Sequence, residues 1–474
     1  MLSARNINDF TIDFDSARLL DEASFAAEDA RTQIQAGDVL LTIVGSIGRV
    51  AVVPESAPRF TLQRSVAVLK PIGVEARYLA HALATPRLQQ WLSENAKGTA
   101  QKGVYLKVLG SAEVPIAPAA EQIRIVAKLE ELLSDLDAGV AELKAAQAKL
   151  QHYRQSLLKA AVEGSLTAAW REANPAPEET GADLLARILR ERRARWEVQQ
   201  LAKFEAQGKM PPKGWKSAYP EPAQPDVTDL PALPESWTWA TLDALIADGP
   251  QNGLYLPKER YADGVPILRI DDYQIGWHRQ RDELRQVTAN ADEVGTYGLA
   301  AGDVVINRVN SMTHLGKSIR VPGALAGAVF ESNMMRLSLS TAVEGGFVSA
   351  YLGSEIGRAR LTADAKWAVN QASINQQDVR RTPVPIPPLA EQSEVTLLVD
   401  QQLLATDQMA SALEALQDQS TAQRQNLLRA AFAGQLVPQD PADEPAAELL
   451  ARIRAERAAA QPAAKRSRSK KVTA

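Results

Sequence analysis

Pro115-Ile116-Ala117-Pro118-Ala119-Ala120-Glu121-Gln122 returns as Pro385-Ile386-Pro387-Pro388-Leu389-Ala390-Glu391-Gln392. Further on, Leu157-Leu158-Lys159-Ala160-Ala161-Val162-Glu163-Gly164 returns as Leu427-Leu428-Arg429-Ala430-Ala431-Phe432-Ala433-Gly434. Both matches lie 270 residues apart, so no gap falls between them. A repeat this long exceeds any solenoid unit. It predicts two similar modules in one chain, and such modules suit a target with two similar or split halves.

Between the paired motifs the pattern is helical. Val126, Leu129, Leu133, Leu136, Val140, Leu143, Gln147, Leu150, Arg154 and Leu157 step by three and four residues throughout. That heptad seam predicts a helix over 121–163 that coils around a partner helix. Pro118 and Glu121 suit its start and Gly164 its end. Its length would be roughly 65 Å. The second copy keeps the seam at Val399, Leu403, Ala410, Leu413, Gln417, Arg424 and Leu427, with Thr396, Thr406 and Ser420 diluting it. Gln147 and Arg154 recur as Gln417 and Arg424. Polar seam residues either fix the register of a helix pair or mark a splayed, solvated end.

Ahead of each long helix lies a different texture. Val39-Leu40-Leu41-Thr42-Ile43-Val44 and Val304-Val305-Ile306-Asn307, each led by Gly-Asp, read as strands, as do 65–69 and 334–339. Residues 78–88 and 347–360 read as helices. After each long helix, Asp183-Leu184-Leu185-Ala186-Arg187-Ile188 is echoed by Glu448-Leu449-Leu450-Ala451-Arg452-Ile453, an amphipathic stripe that must be buried. A Pro-rich linker runs over 211–234. The fold class is therefore mixed α/β: two globules of sheet and helices joined by a long two-helix coiled coil, with a pseudo-twofold internal repeat. The helices match between copies while the globules diverge.

The 474 residues are 45% hydrophobic, enough for a sizeable core, and include no cysteine. Disulfides, a thiolate nucleophile and Cys-based zinc sites are thereby excluded. The first ten residues lack an apolar leader core, and no apolar run approaches the roughly 20 residues of a membrane helix, which predicts a soluble, cytoplasmic protein. Net charge is −4. Residues 1–114 carry 12 basic and 12 acidic side chains and residues 235–384 carry 15 and 17, so any nucleic-acid contact must come from local clusters. The basic tail over 465–471 reads as a solvated end.

The two Pro-x-x-Pro-x-x-Glu-Gln motifs, the two Leu-Leu-(Lys/Arg)-Ala-Ala-x-x-Gly motifs, the Gly-Asp-Val strands and Leu233-Pro234-x-x-Trp237-x-Trp239 together resemble the specificity subunit of type I restriction-modification systems. The resemblance spans essentially the whole chain. It implies a first target recognition domain over 1–114, a long helical spacer over 115–170, an amphipathic helix and linker over 171–232, a second recognition domain over 233–384, a second spacer over 385–440, and a C-terminal helix with a basic tail over 441–474. It further implies that the two helices pair antiparallel as a ruler between half-sites on double-stranded DNA. Two methyltransferase subunits and then restriction-translocase subunits would dock, and this chain would perform no chemistry. S-adenosylmethionine, ATP and Mg would belong to those partners, and no membrane would be involved. The first half opens at Leu2-Ser3-Ala4-Arg5, the point matching Ile267-Leu268-Arg269-Ile270, whereas the second half has 34 residues over 233–266 ahead of it. The first globule is thus expected to lack an opening strand and loop, through a late start or natural truncation.

Residues that could read DNA follow from side-chain chemistry. Lys97-Gly98-Thr99-Ala100-Gln101-Lys102 aligns, again at 270, with Trp367-Ala368-Val369-Asn370-Gln371-Ala372, just after Lys366. Gln, Asn and Lys can bond base edges and an aromatic can stack; the alternative is an ordinary connecting loop. Asn307-Arg308-Val309-Asn310 leaves a strand toward His314, Lys317 and Arg320, and Arg279 and Arg281 lie near Trp277. Arg49, Arg59 and Arg64 are the corresponding cations of the first globule. Each arginine can bond guanine, grip phosphate or simply solvate the surface.

Catalytic patterns are not met. Gly316-Lys317-Ser318 ends like a phosphate-binding loop, but Ser311 stands where its first glycine belongs. Gly45-Ser46-Ile47-Gly48 is too short for a dinucleotide fingerprint, and Asn174-Pro175-Ala176-Pro177 lacks the aromatic of amino-methyltransferases. His81, His152, His278 and His314 are scattered without metal spacing. The competing class is a coiled-coil assembly scaffold whose globules bind protein, which the helices alone do not separate from a DNA reader.

Overall fold

The structure, a computed structural model, describes residues 1–98, 101–369 and 371–460. Asn370 and the basic tail lie outside the described residues. Contacts divide the chain into two compact units: residues 1–144 with those from 414 onward, and residues 145–413. These units cut across the sequence-based segments, because each long helix contributes to both.

In the first unit Val39–Thr42 is the central strand of a three-stranded antiparallel sheet, flanked by Val50–Val52 and Val66–Leu69. Val39, Leu41, Ile43, Val50 and Ala67 pack against Ala80, Leu83 and Leu92. The single helix expected over 78–88 is two, Ala76–Leu83 and Pro86–Asn95. Proline has no N–H for an interior helical bond, but it fits the first turn, so Pro86 ends one helix and starts the next.

The second unit repeats this plan with one strand more. Its sheet runs Ser318–Arg320, Val304–Asn307, Met334–Leu339, Ile246–Asn252, all antiparallel. Thr238–Thr241 pairs separately with Pro383–Ile386. The core joins Val304, Ile306, Met335 and Leu337 to Val348, Tyr351 and Leu352, and to Leu184 and Ile188 of the amphipathic helix Gly181–Ala206. The stripe read from sequence is therefore buried on its own unit. Here too the helix expected over 347–360 is broken, into Gly345–Gly353 and Glu355–Leu361. Ser354 caps the second by accepting from the Gly357 N–H at 3.1 Å. A Cβ on Gly357 would lie 1.9 Å from the Tyr351 carbonyl, so the chain turns here only with glycine.

The long helices span Ala119–Val162 and Leu389–Phe432, 44 residues each. Gly164 and Gly434, both at left-handed φ (79° and 69°), follow their ends. Inside the first unit Ile125, Val126, Leu129 and Leu133 pack on Leu428 and Ala431, and Arg424 pairs with Asp137. Inside the second, Leu157, Leu158 and Ala161 pack on Val395, Val399 and Leu403, and Arg154 pairs with Asp407. Residues rising on one helix meet residues falling on the other, so the pairing is antiparallel in both units. The central seam residues Leu136, Val140, Leu143, Leu150 and Leu413 are half-buried. Thr406 was read as diluting the seam. It is buried and accepts from Arg154 Nε at 3.2 Å, so the polar seam residues carry a cross-helix bond and not a splayed end. Gln147 and Gln417, half-buried on the same seam, are also engaged. Among the described residues no helix is long and apolar enough to cross a membrane.

Candidate nucleic-acid interface

In the second globule the chain leaves the central strand at Asn307 and continues as Val309–Asn310. This short strand pairs antiparallel with Gln371–Ser373, which pairs with Lys366–Ala368. Two distant stretches, the segment after Asn307 and the hairpin over 366–373, thus meet on one small sheet carrying Arg308, Asn310, Lys366, Trp367 and Gln371. Alternation sets their directions. Ala372 and Ile374 point into the core, and the Ile374 N–H donates to the Arg308 carbonyl at 3.0 Å. Gln371, between solvent and the buried Ala372, faces outward. The strand Lys366–Ala368 is exposed along its whole length; Trp367 is 73% exposed and Val369, after it, 91%. A two-stranded ribbon of this kind has the width of the DNA major groove. Among the described residues Arg308 and Lys366 have no acidic partner.

The first globule holds the same arrangement in compressed form. Val44 bridges Gly103 and Gly103 bridges Lys97, both antiparallel. These match Val309, Ser373 and Lys366 in the other globule. Lys97 and Gly103 exchange two backbone hydrogen bonds of 2.9 Å. Gly98 sits at φ +130°, and a Cβ there would come within 2.2 Å of the Gln101 carbonyl, so the turn closes only on glycine. Beside it lies a cleft of ≈580 Å³ lined by Arg31, Arg64, Lys97, Gln101, Tyr105 and Leu106, among others. Tyr105 and Leu106 are largely exposed. Lys102 is exposed on the turn itself.

Other candidates are placed elsewhere. Asn307 is fully buried and donates to the His314 carbonyl at 2.8 Å, so it shapes the loop and cannot meet a base. Lys317 donates to the Ile270 carbonyl at 2.6 Å and lies 4.9 Å from the Tyr273 ring centroid; burial pushes its titration down. Arg279 is held by Asp272 at 3.0 Å. Arg49 donates to the Ile7 carbonyl and to Asn8 Oδ1, each at 3.4 Å, tying down a hairpin. Arg281 donates to the Ala326 carbonyl, Arg320 pairs with Asp400, and Arg59 pairs with Glu22. Lys317 is thereby poorly placed to meet phosphate, whereas the exposed Arg59–Glu22 and Arg320–Asp400 pairs are weak enough to be exchanged. Sequence reading did not single out Tyr105; Arg31, though it lines the cleft, is held by Glu28 at 3.1 Å and by the Leu62 carbonyl at 2.9 Å. Tyr105 stands four residues after Gln101, and its signal was an aromatic beside a polar loop.

A family model described as type I restriction modification DNA specificity domain matches residues 18–145. The EcoBI type I restriction enzyme specificity subunit of Escherichia coli is 34% identical over 194 residues, 40% of this chain and 40% of that one. The chain thus spans under half the length of that relative. The StySPI specificity subunit of Salmonella potsdam is 25% identical over 397 residues, 81% of this chain and 72% of its own. A chain solved in work on complex assembly and conformational transition of the type I R-M system superposes with a TM-score of 0.56 at 17% identity, over 85% of this chain and 83% of its own. At that identity the likeness speaks for the mixed α/β fold.

Proposed function

We propose that the chain is a specificity subunit of a type I restriction-modification system, as its likeness to such subunits supports, and that it reads a bipartite double-stranded DNA target, one half with each globule, without catalysing a reaction itself. One observation carries this reading. Both globules bring three chain segments together after the same strand, as a small sheet in the second and as two single bridges in the first, and each sets a glutamine, cations and an exposed aromatic on or beside that corner (Gln101, Lys97, Arg64 and Tyr105; Gln371, Lys366, Arg308 and Trp367). Glutamine can bond adenine bidentately, cations position the phosphates, and an aromatic stacks or abuts a thymine methyl. A protein-binding scaffold would have no need of that chemistry twice over. In this reading the long helices fix the gap between half-sites and offer docking faces to two methyltransferase subunits, followed by restriction-translocase subunits. S-adenosylmethionine, ATP and Mg²⁺ belong to those partners, and the setting is the cytoplasm.

The test is co-expression with methyltransferase partners and sequencing of methylated bases. A split motif is expected. Trp367→Ala combined with Gln371→Ala should relax or erase one half of that motif while the other half and complex assembly survive. A continuous motif, or an unaltered one in the variant, would contradict the assignment.

A further inference from the structure

The helix Gly181–Ala206 is anchored by its first turns only: Gly181, Leu184 and Ile188 are its buried residues. Residues 190–206 carry it on for about 25 Å with no further buried side chain. A clasp of aromatic rings supports that length. The chain after the helix folds back on it, and Trp196 meets Trp215 at 5.8 Å and Tyr219 at 5.4 Å between ring centroids, with Phe204 at 6.0 Å from Trp215. Arg192 donates to the Tyr219 hydroxyl at 2.8 Å and to the Pro220 carbonyl at 2.9 Å. The attachment recurs in the repeat. Glu179 holds Arg187 through two bonds of 2.8 Å, and 265 residues on Glu444 holds Arg452 at 2.8 and 2.9 Å.

This arm concentrates positive charge. Residues 187–216 carry nine basic and three acidic side chains, in a chain of net charge −4. Glu191 and Glu197 are taken up by Arg187, Arg193 and Lys216. Arg195, Lys203, Lys209 and Lys213 are exposed and form no ion pair among the described residues. Arg195, Gln199 and Lys203 recur every four residues, so they line one edge of the helix over about 12 Å. Arg195 and Gln199 border a cleft of ≈210 Å³ that also takes in Asp248, Gly249 and Arg380. Its carboxylate, Asp248, is engaged by Arg336 at 3.0 Å. The exposed apolar residues of the arm's helix, Val198 and Leu201, point about 100° and 160° away from that edge. An edge of cations and an amide without an apolar centre suits a phosphate backbone, whereas a protein interface gathers aromatic and apolar side chains at its core.

We propose that this edge is a second DNA contact, a sequence-independent grip on the phosphates of duplex DNA beside the half-site held by the second globule. It rests on the DNA-reading function proposed above and adds a site apart from the corner. The fold puts it within range. The cleft lies at the Ile246–Gly249 end of the strand Ile246–Asn252. At the other end Asn252 pairs with Met335, and the adjacent Met334 pairs with Asn307, where the chain leaves for the corner. The four residues between cover about 13 Å, close to four base-pair steps of 3.4 Å. Arg380, on the cleft wall, belongs to the helix Gln376–Arg381 that follows the corner strand Gln371–Ser373. Neither globule is basic overall, with 12 basic against 12 acidic side chains over 1–114 and 15 against 17 over 235–384. The arm supplies the missing cations: it adds affinity common to all sequences, and the corner chooses among them.

The experiment follows the anisotropy of a labelled duplex of random sequence titrated with the full chain, between about 50 and 200 mM salt. In the triple variant Arg195→Gln, Lys203→Gln, Lys213→Gln, affinity at the lower salt should fall at least ~10-fold, and the slope of log affinity against log salt should flatten by about 2–3. Arg195→Lys alone should keep both. Co-expressed with methyltransferase partners, the triple variant should methylate the same motif as the parent. Unchanged affinity and slope overturn the proposal, as does a parent chain that binds no random duplex. Loss of the methyltransferase partners with the salt slope intact also overturns it and assigns the edge to protein. A changed base in the motif refutes a sequence-independent grip. Should thermal melts show the triple variant unfolded, Lys203→Gln and Lys213→Gln singly replace it, each expected to flatten the slope by about 1. A split motif together with an unchanged slope sinks this inference alone and leaves the DNA-reading function standing.

Discussion

At the scale of single residues, the repeated glutamine decides most. Gln122 Oε1 accepts from the Glu75 N–H at 3.0 Å and its Nε2 donates to the Ala117 carbonyl at 2.8 Å. Gln392 does the same with the Glu344 N–H at 3.0 Å and the Pro387 carbonyl at 2.9 Å. Both are buried. Gln392→Ala strands a buried donor and acceptor and should cost about 2–4 kcal/mol in denaturant titration, whereas a surface glutamine such as Gln425 should cost almost nothing. His81 makes a second prediction. It is buried on Ala76–Leu83 against Phe10, 3.7 Å from Glu130, and burial pushes its titration down to about 4. An unfolded histidine takes its proton near 6.5. The unfolded chain therefore binds the extra proton between these values, and stability should fall as pH drops from 6.5 toward 4, by on the order of 3 kcal/mol. Thermal melts of the parent chain and His81→Leu at pH 7 and 5 check this; the variant should show a shallower decline.

At the scale of elements, the helix pair repeats one ion pair in two settings. Arg154–Asp407 and Arg424–Asp137 are the same contact under the 270-residue offset. In the first, both side chains are less than one-fifth exposed; in the second, Asp137 is 61% exposed. Breaking a shielded pair leaves a poorly solvated charge, while a solvated pair is worth about 1 kcal/mol or less. Asp407→Ala should thus destabilise by roughly 2–4 kcal/mol and Asp137→Ala by under about 1 kcal/mol. Equal losses in denaturation midpoints would show that the two settings do not differ electrostatically. The seam itself was legible in sequence because helix packing depends on spacing, which the residues print directly: Leu129, Leu133 and Leu403 are buried as their register requires. The corner proposed to read DNA was legible only in part. Gln371 and Trp367 sit in a short hairpin whose pairing their order suggests. Asn307 and Lys317 were misplaced because polar residues after a strand can equally turn inward to serve main-chain carbonyls, and only three-dimensional neighbours decide.

At the scale of the whole chain, the proposed reading makes length a functional quantity. A 44-residue helix measures about 66 Å at 1.5 Å per residue, and seven residues remove about 10 Å while keeping the seam in phase. Deleting residues 130–136 together with 400–406 should shorten the permitted gap in a split DNA target by about three base pairs, read from methylated motifs. An unaltered gap would show that the helices do not measure. Deleting only one of the two segments puts the copies out of register and should instead abolish cooperative folding.

The glutamine joints have one more consequence. Each fastens a helix to its globule through amide and carbonyl groups of the main chain, at Glu75 and Ala117 or at Glu344 and Pro387, never through a side chain of the globule. Such a coupling is blind to the composition of what it holds. Drift, or exchange of one head for a foreign one between the same flanking motifs, leaves these two joints undisturbed, so only side-chain contacts such as Arg320–Asp400 and His81–Glu130 have to be renewed.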